Sequence, residues 1–111
     1  MYLWNMETSQ AVTALSALAH EGRLTIFREL VRAGPEGLPA GEVGRRLGVA
    51  PSTTSASLSV LAHAGLVTSR RDGRSIIYSA AYERMAALLG FLVQDCCSGR
   101  PEVCADRKSV V

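Results

Sequence analysis

Long apolar runs are missing from this 111-residue chain. The longest, Met85 to Val93 (MAALLGFLV), is about half of the roughly 20 residues that cross a bilayer, so no transmembrane segment is expected. The apolar stretch Ala11 to Ala19 lacks a basic flank and follows Glu7, which argues against a secretory leader. A cytoplasmic protein is expected, in a compartment where thiols stay reduced. A strong charge of one sign is also absent. The net charge of +2 is too small to imply a nucleic-acid partner, so the placement of the arginines must decide that point. Cysteine is absent before position 96, and all three cysteines, Cys96, Cys97 and Cys104, fall within DCCSGRPEVCAD (95–106). An odd number of thiols in one short stretch argues against a structural disulfide framework. Histidine is scarce as well: His20 and His63 read as capping or surface residues rather than metal ligands.

With 48% hydrophobic residues the chain can build one core. A small monomer buries a modest fraction of its surface, and dimerisation would ease that shortage. Residues 1–7 show no periodicity and are expected to form a flexible N-terminal arm. A first helix follows from Thr8, a capping-type residue, with Val12, Leu15 and Leu18 at helical spacing. A second carries the stripe Leu24, Phe27, Leu30 and Val31 and stops at AGPEG (33–37). PAGEVGRRLG (39–48) predicts a short third helix ended by Gly48. In VAPSTTSASLSVLAHAGLV (49–67) Pro51 suits the first helical position, and Thr54, Leu58, Leu61 and Ala62 give an inward face.

Two β-like runs, LVTSR (66–70) and SIIYS (75–79), flank RDG, whose Asp72-Gly73 pair predicts a hairpin turn. A last helix is expected from about Ser79 to Asp95, apolar at Tyr82, Met85, Ala86, Leu89, Leu92 and Val93, with Leu88 and Phe91 on a second face. The fold class is mainly α with a β-hairpin wing. Short helix, tight turn, second helix and hairpin together are the winged helix-turn-helix arrangement. The expected organisation is an arm at 1–7, a DNA-binding and dimerisation domain at 8–95, and a thiol-rich ion-sensing tail at 96–111.

Three blocks, ALAHEGRLTIFREL (17–30), AGEVGRRLGVAPSTTSASLSVLAHAGLV (40–67) and SRRDGRSIIY (69–78), resemble the ArsR/SmtB family of bacterial metal-responsive repressors. The likeness runs from residue 8 to about 95, and the C-terminal cysteines resemble the arsenic-responsive subgroup. The chain departs from the family pattern at Ala50, where a Ser or Thr cap is usual, and at Ala56-Ser57, where a polar or His pair is usual. It also lacks the third-helix Cys-x-Cys pair and the His-rich last helix of the zinc sensors. The C-terminal thiols are left as the candidate sensing site. What the resemblance implies is a repressor of double-stranded operator DNA, homodimeric through its first and last helices.

The residues bear on each of these expectations. Ser52, Thr53, Ser55, Ala56 and Ser59 lie opposite the buried face of the fourth helix, which should enter the major groove. None is an Arg, Asn or Gln capable of bidentate base readout, so affinity should come largely from Arg45, Arg46, Arg70, Arg71 and Arg74 on phosphates. Val12, Leu15, Leu88, Leu89 and Leu92 are the expected dimer contacts.

Cys96 and Cys97 cannot converge on one ion while both are helical. Gly99 and Pro101 allow the chain to leave the helix and return Cys104 to the pair. Three thiolates suit pyramidal As(III) or Sb(III) better than tetrahedral zinc, for which no fourth ligand is evident. The alternatives are a redox sensor or a Cd/Pb-responsive regulator of the same fold. An enzyme is not expected, because no anion-binding loop accompanies the thiols.

Overall fold

The structure is a computed structural model that describes residues 6–94. In chain order it contains α1 (Thr8–Leu18), α2 (Glu21–Ala33), β1 (Leu38–Pro39), α3 (Ala40–Leu47), α4 (Pro51–His63), β2 (Val67–Asp72), β3 (Ser75–Ala80) and α5 (Tyr82–Val93). The fold is mainly helical with a small antiparallel wing, a winged helix-turn-helix. No helix among the described residues is long and apolar enough to cross a membrane.

The cap of α1 lies one residue before the expected one. Glu7 is its N-cap, and the Glu7 backbone N–H donates to Gln10 Oε1 at 2.9 Å, so Thr8 is already helical. Met6 is 7% exposed and belongs to the core, so the expected arm at 1–7 gives up its last two residues to the domain. The face of α1 turned inward is Ala11, Ala14 and Ala17. Their small side chains let the backbone of α1 approach its neighbours closely, and the larger Val12 and Leu15 are turned outward.

α2 is capped by His20, whose Nδ1 accepts from the N–H groups of Gly22 (3.1 Å) and Arg23 (3.4 Å). Arg23 Nε donates to Ala17 O at 2.7 Å and so satisfies a carbonyl at the end of α1. Ile26, Phe27 and Leu30 are buried, whereas Leu24, expected in the inward stripe, is exposed. Ile26 takes its place in the core, shifting the buried face around the helix.

The strand β1 was not anticipated. It is two residues long, includes Pro39, and pairs with β3 through Leu38↔Tyr78 and Pro39↔Ile77, giving the sheet order β1-β3-β2. Gly37 permits this pairing: with φ at 74°, a Cβ there would lie 2.4 Å from Tyr78 O. The hairpin pairs Asp72 with Ser75, so its two-residue loop is Gly73-Arg74, one position later than the Asp72-Gly73 pair suggested. Arg74 therefore stands at the wing tip.

Ser79 and Ala80 remain in β3, which delays α5 to Tyr82, and α5 ends at Val93 rather than Asp95. Leu88 is buried in the chain's own core at 4% exposure, so it is not free to make the dimer contact expected of it. Leu89 and Leu92 are exposed. Tyr82 Oη donates to Val31 O at 3.3 Å and ties the start of α5 to α2.

Candidate nucleic-acid interface

The reading head is built where α3 and α4 cross. Gly48 ends α3 in the left-handed region at φ 69°, and Pro51 opens α4. Between them Val49 N–H donates to Gly44 O at 2.9 Å. Gly44 is buried, and a Cβ on it would stand 2.8 Å from Val49 O and 2.9 Å from Thr54 Oγ1. The crossing thus depends on a residue with no side chain. Nothing in the sequence pattern marked it, because a glycine inside a short helix reads only as a weak helix former.

Ala50 offers no side-chain cap. Instead Thr54 Oγ1 donates back to Ala50 O at 3.0 Å, which keeps the buried hydroxyl satisfied. Ser57 is buried beside Leu58 and Leu61, while Ala62, expected inward, is exposed. The opposite face of α4 leaves Ser52, Thr53, Ser55, Ala56 and Ser59 exposed together. It is a neutral surface of small side chains, suited to close approach to base edges and phosphates.

The arginines divide by environment. Residues opposite each other in an antiparallel pair share a face. Arg70 opposes buried Ile77, and its Nη2 donates to Glu36 O at 2.9 Å, which holds it against the loop before β1. Arg71 opposes exposed Ile76, and Arg74 lies in the loop; neither has an ion-pair partner among the described residues.

Arg45 and Arg46 are engaged elsewhere. Arg45 Nη2 pairs with Glu42 Oε1, while Arg46 Nε donates to Glu42 Oε2 at 3.0 Å and Arg46 Nη1 to Glu29 Oε2 at 3.1 Å. Glu29 Oε1 also receives Arg32 Nη2 at 2.8 Å. Hydrogen bonds from Arg32 and Arg46 hold the Glu29 carboxyl below its ordinary pKa, and those from Arg46 and Arg45 do the same for Glu42. Both carboxylates escaped the sequence reading, although Glu42 stands three and four residues before Arg45 and Arg46, a spacing that signals a helical ion pair.

Cys96, Cys97 and Cys104 lie outside the described residues. Among those described, no cluster of three His, Cys, Asp or Glu side chains could hold a metal.

This division yields a first prediction. Arg71→Ala and Arg74→Ala should each weaken duplex binding and lower the log–log salt slope by about one unit, since each removes one phosphate contact. Arg70→Ala should change the slope less, because its guanidinium already serves Glu36 O. Anisotropy titrations across a salt series would check this. A slope unmoved by both Arg71→Ala and Arg74→Ala would mean the wing does not touch the backbone.

A family described as a helix-turn-helix domain matches residues 18–70. The HTH-type transcriptional regulator YgaV of Escherichia coli is 37% identical over 83 residues, covering 75% of this chain and 82% of its own. A putative arsenical resistance operon repressor, ArsR, of Halobacterium salinarum is 51% identical over 63 residues, covering 57% of this chain and 48% of its own. Among solved structures, an ArsR-like transcriptional regulator from Rhodococcus superposes with a TM-score of 0.73 at 25% identity, covering 90% of this chain and 92% of that one. These relatives are transcriptional regulators, not enzymes. Neutral recognition helix, cationic wing and these likenesses agree: the chain belongs to the ArsR family of winged helix-turn-helix transcriptional regulators.

Proposed function

We propose that this protein is an arsenite- or antimonite-responsive repressor that holds operator DNA as a homodimer and releases it when the trivalent ion binds Cys96, Cys97 and Cys104. The observation that carries the reading is the confinement of every thiol to positions 96–104, with none in the domain that meets DNA. Three thiolates neutralise a 3+ centre and satisfy its pyramidal geometry, and soft sulfur selects such ions over magnesium or calcium. The 51% identity to a putative arsenical resistance operon repressor supports the same inducer. In a reducing cytoplasm the thiols are available for capture.

The tail at 96–111 is then the sensor and residues 8–95 the effector. Val12, Leu15, Leu89 and Leu92 supply the pairing face through which α5 connects the two. Such coupling between sites is typically about 1–3 kcal/mol and is reciprocal, so DNA should weaken arsenite binding by the factor with which arsenite weakens DNA binding.

The test is release of the protein from its own promoter fragment by arsenite. Cys96→Ser, Cys97→Ser and Cys104→Ser should each bind the fragment like the parent yet fail to release it, because a hard hydroxyl cannot replace a thiolate toward a soft ion. Cys104→Ser should impair the response to arsenite more than the response to an organic arsenical, which needs only two thiols. If Cys96→Ser and Cys97→Ser release DNA at the parent's arsenite concentration, the three-thiol site is wrong. Release by peroxide but not arsenite would point to redox sensing, and release by cadmium or lead alone to another thiophilic ion.

A further inference from the structure

We propose that Glu42 limits the affinity of the α3–α4 head for duplex DNA: its carboxylate occupies Arg45 as a DNA phosphate would, and must give it up before Arg45 can meet the backbone. Arg46, by contrast, stays with the protein and positions α3 against α2. The inference rests on the DNA-binding reading of the α3–α4 head.

The two arginines differ in what they would lose. Arg45 has Glu42 as its one ion-pair partner among the described residues, and its side chain is 72% exposed. Arg46 spans Glu42 on its own helix and Glu29 on α2, and the Glu29 side chain is only 12% exposed. Removing Arg46 to meet a phosphate would leave a largely covered carboxylate with one of its two cationic partners gone. Removing Arg45 leaves Glu42 still held by Arg46. Arg45 is therefore the transferable cation.

Its position suits transfer. Arg45 lines a cleft of about 410 Å³ between α3 and the start of α4, together with Gly41, Pro51 and Ser55. Ser55 is on the exposed face of α4, so a strand passing along that face comes within the neighbourhood of the guanidinium. Phosphate and carboxylate oxygens meet a guanidinium through the same planar fork, so one can replace the other like for like. An exposed pair is weak and readily screened, which allows the exchange.

The exchange carries a penalty, because Glu42 remains beside the incoming phosphate and repels it. That repulsion applies to every sequence alike. Glu42 therefore lowers affinity for matching and unrelated duplexes alike, and on matching bases the contacts of the α4 hydroxyls offset that loss.

Glu42→Gln removes the charge and keeps the shape. It should bind a duplex of unrelated sequence on the order of 5-fold more tightly at low salt, as expected for one unit of surface charge at close range. Its log–log salt slope should be steeper by up to about one unit, since Arg45 then neutralises a phosphate in full. The gain should vanish in Glu42→Gln combined with Arg45→Ala, a double-mutant cycle that isolates the pair. Glu29→Gln should lower the melting temperature without raising affinity. Glu42→Asp, too short to reach both guanidiniums, should move affinity in the same direction by less and serves if Glu42→Gln melts below the assay temperature.

Unchanged affinity and slope in a folded Glu42 variant would overturn the proposal. So would a gain that persists without Arg45, which would mark a general effect of net charge. A parent that shows no salt-dependent duplex binding at all would sink the DNA-binding reading itself, whereas a binding parent with a silent Glu42 variant sinks the exchange alone.

Discussion

Gly44→Val should leave the protein largely unfolded at temperatures where the parent is intact, and Gly44→Ala should lower its melting point by several degrees. The first atom of any side chain at this position meets Val49 O at 2.8 Å and Thr54 Oγ1 at 2.9 Å, and neither can yield freely. Val49 is held in place by its own N–H to Gly44 O, and the Thr54 hydroxyl by its bond to Ala50 O. Overpacking of this kind costs about 1–3 kcal/mol, against which alanine gains up to about 1 kcal/mol of helix propensity over glycine. Valine adds two branched carbons to the same gap and gains less propensity, so α3 and α4 must separate.

A domain of this size has only about 5–15 kcal/mol of stability in all, and each kilocalorie shifts its melting point by about 4–8 °C. Gly41 supplies the control, since it lies in the same helix with nothing within 4 Å of its would-be Cβ. Gly41→Ala should be neutral or raise the melting point. If Gly44→Ala melts at or above Gly41→Ala, the tight crossing is not what sets the angle of the recognition helix.

Glycine 44 also shows where the sequence is silent. Gly48, Pro51 and the turn around Gly73 announce themselves, because each satisfies a local demand: a left-handed cap, a first helical turn, a positive φ. The exposed serines of α4 follow from its period once those ends are fixed. Gly44 answers a tertiary demand, the approach of two helices, which leaves no local mark. The strand β1 was hidden for the same reason. Its two residues pair with a strand about 40 positions later, a contact that no window on the sequence contains.

α1 is legible only in part. Its larger aliphatics fall on one stripe and its alanines on the adjacent one, and periodicity alone cannot say which turns inward. The structure selects the alanines. Among the arginines, charge placed Arg46 on DNA, but two carboxylates already hold it. The thiols are legible only as chemistry: their number and spacing suggest an ion, while their place in the fold lies beyond the described residues.

The choice that α1 makes leads to the other large effect. Leu89→Glu and Leu92→Glu should convert the protein to monomers and reduce operator binding by orders of magnitude. Val12 (56%), Leu15 (40%), Leu89 (57%) and Leu92 (51%) are exposed on α1 and α5, two helices that touch each other in the fold. Large aliphatics gathered on adjacent helices mark a surface that another molecule covers, and a two-fold axis lets one such patch cover its own copy. Fully burying a Leu or Val side chain is worth about 1.5–3 kcal/mol, so several on each protomer can support a stable pair.

A glutamate in that face places one unpaired carboxylate per protomer at an apolar contact, a cost of several kcal/mol per dimer. About 4 kcal/mol weakens a dissociation constant by roughly three powers of ten. DNA affinity should fall with it, because two recognition helices held one turn of duplex apart bind far better than one. Leu88 is unsuited to the test, since at 4% exposure a charge there attacks the core of each protomer instead. Ile76→Glu serves as the comparison: it adds a charge at an exposed aliphatic on the wing and should leave the dimer intact. Light scattering after size exclusion, over a range of concentrations, separates the cases. Dimers persisting in both Leu89→Glu and Leu92→Glu would place the pairing surface elsewhere, and the exposed stripe of α1 and α5 would need another partner.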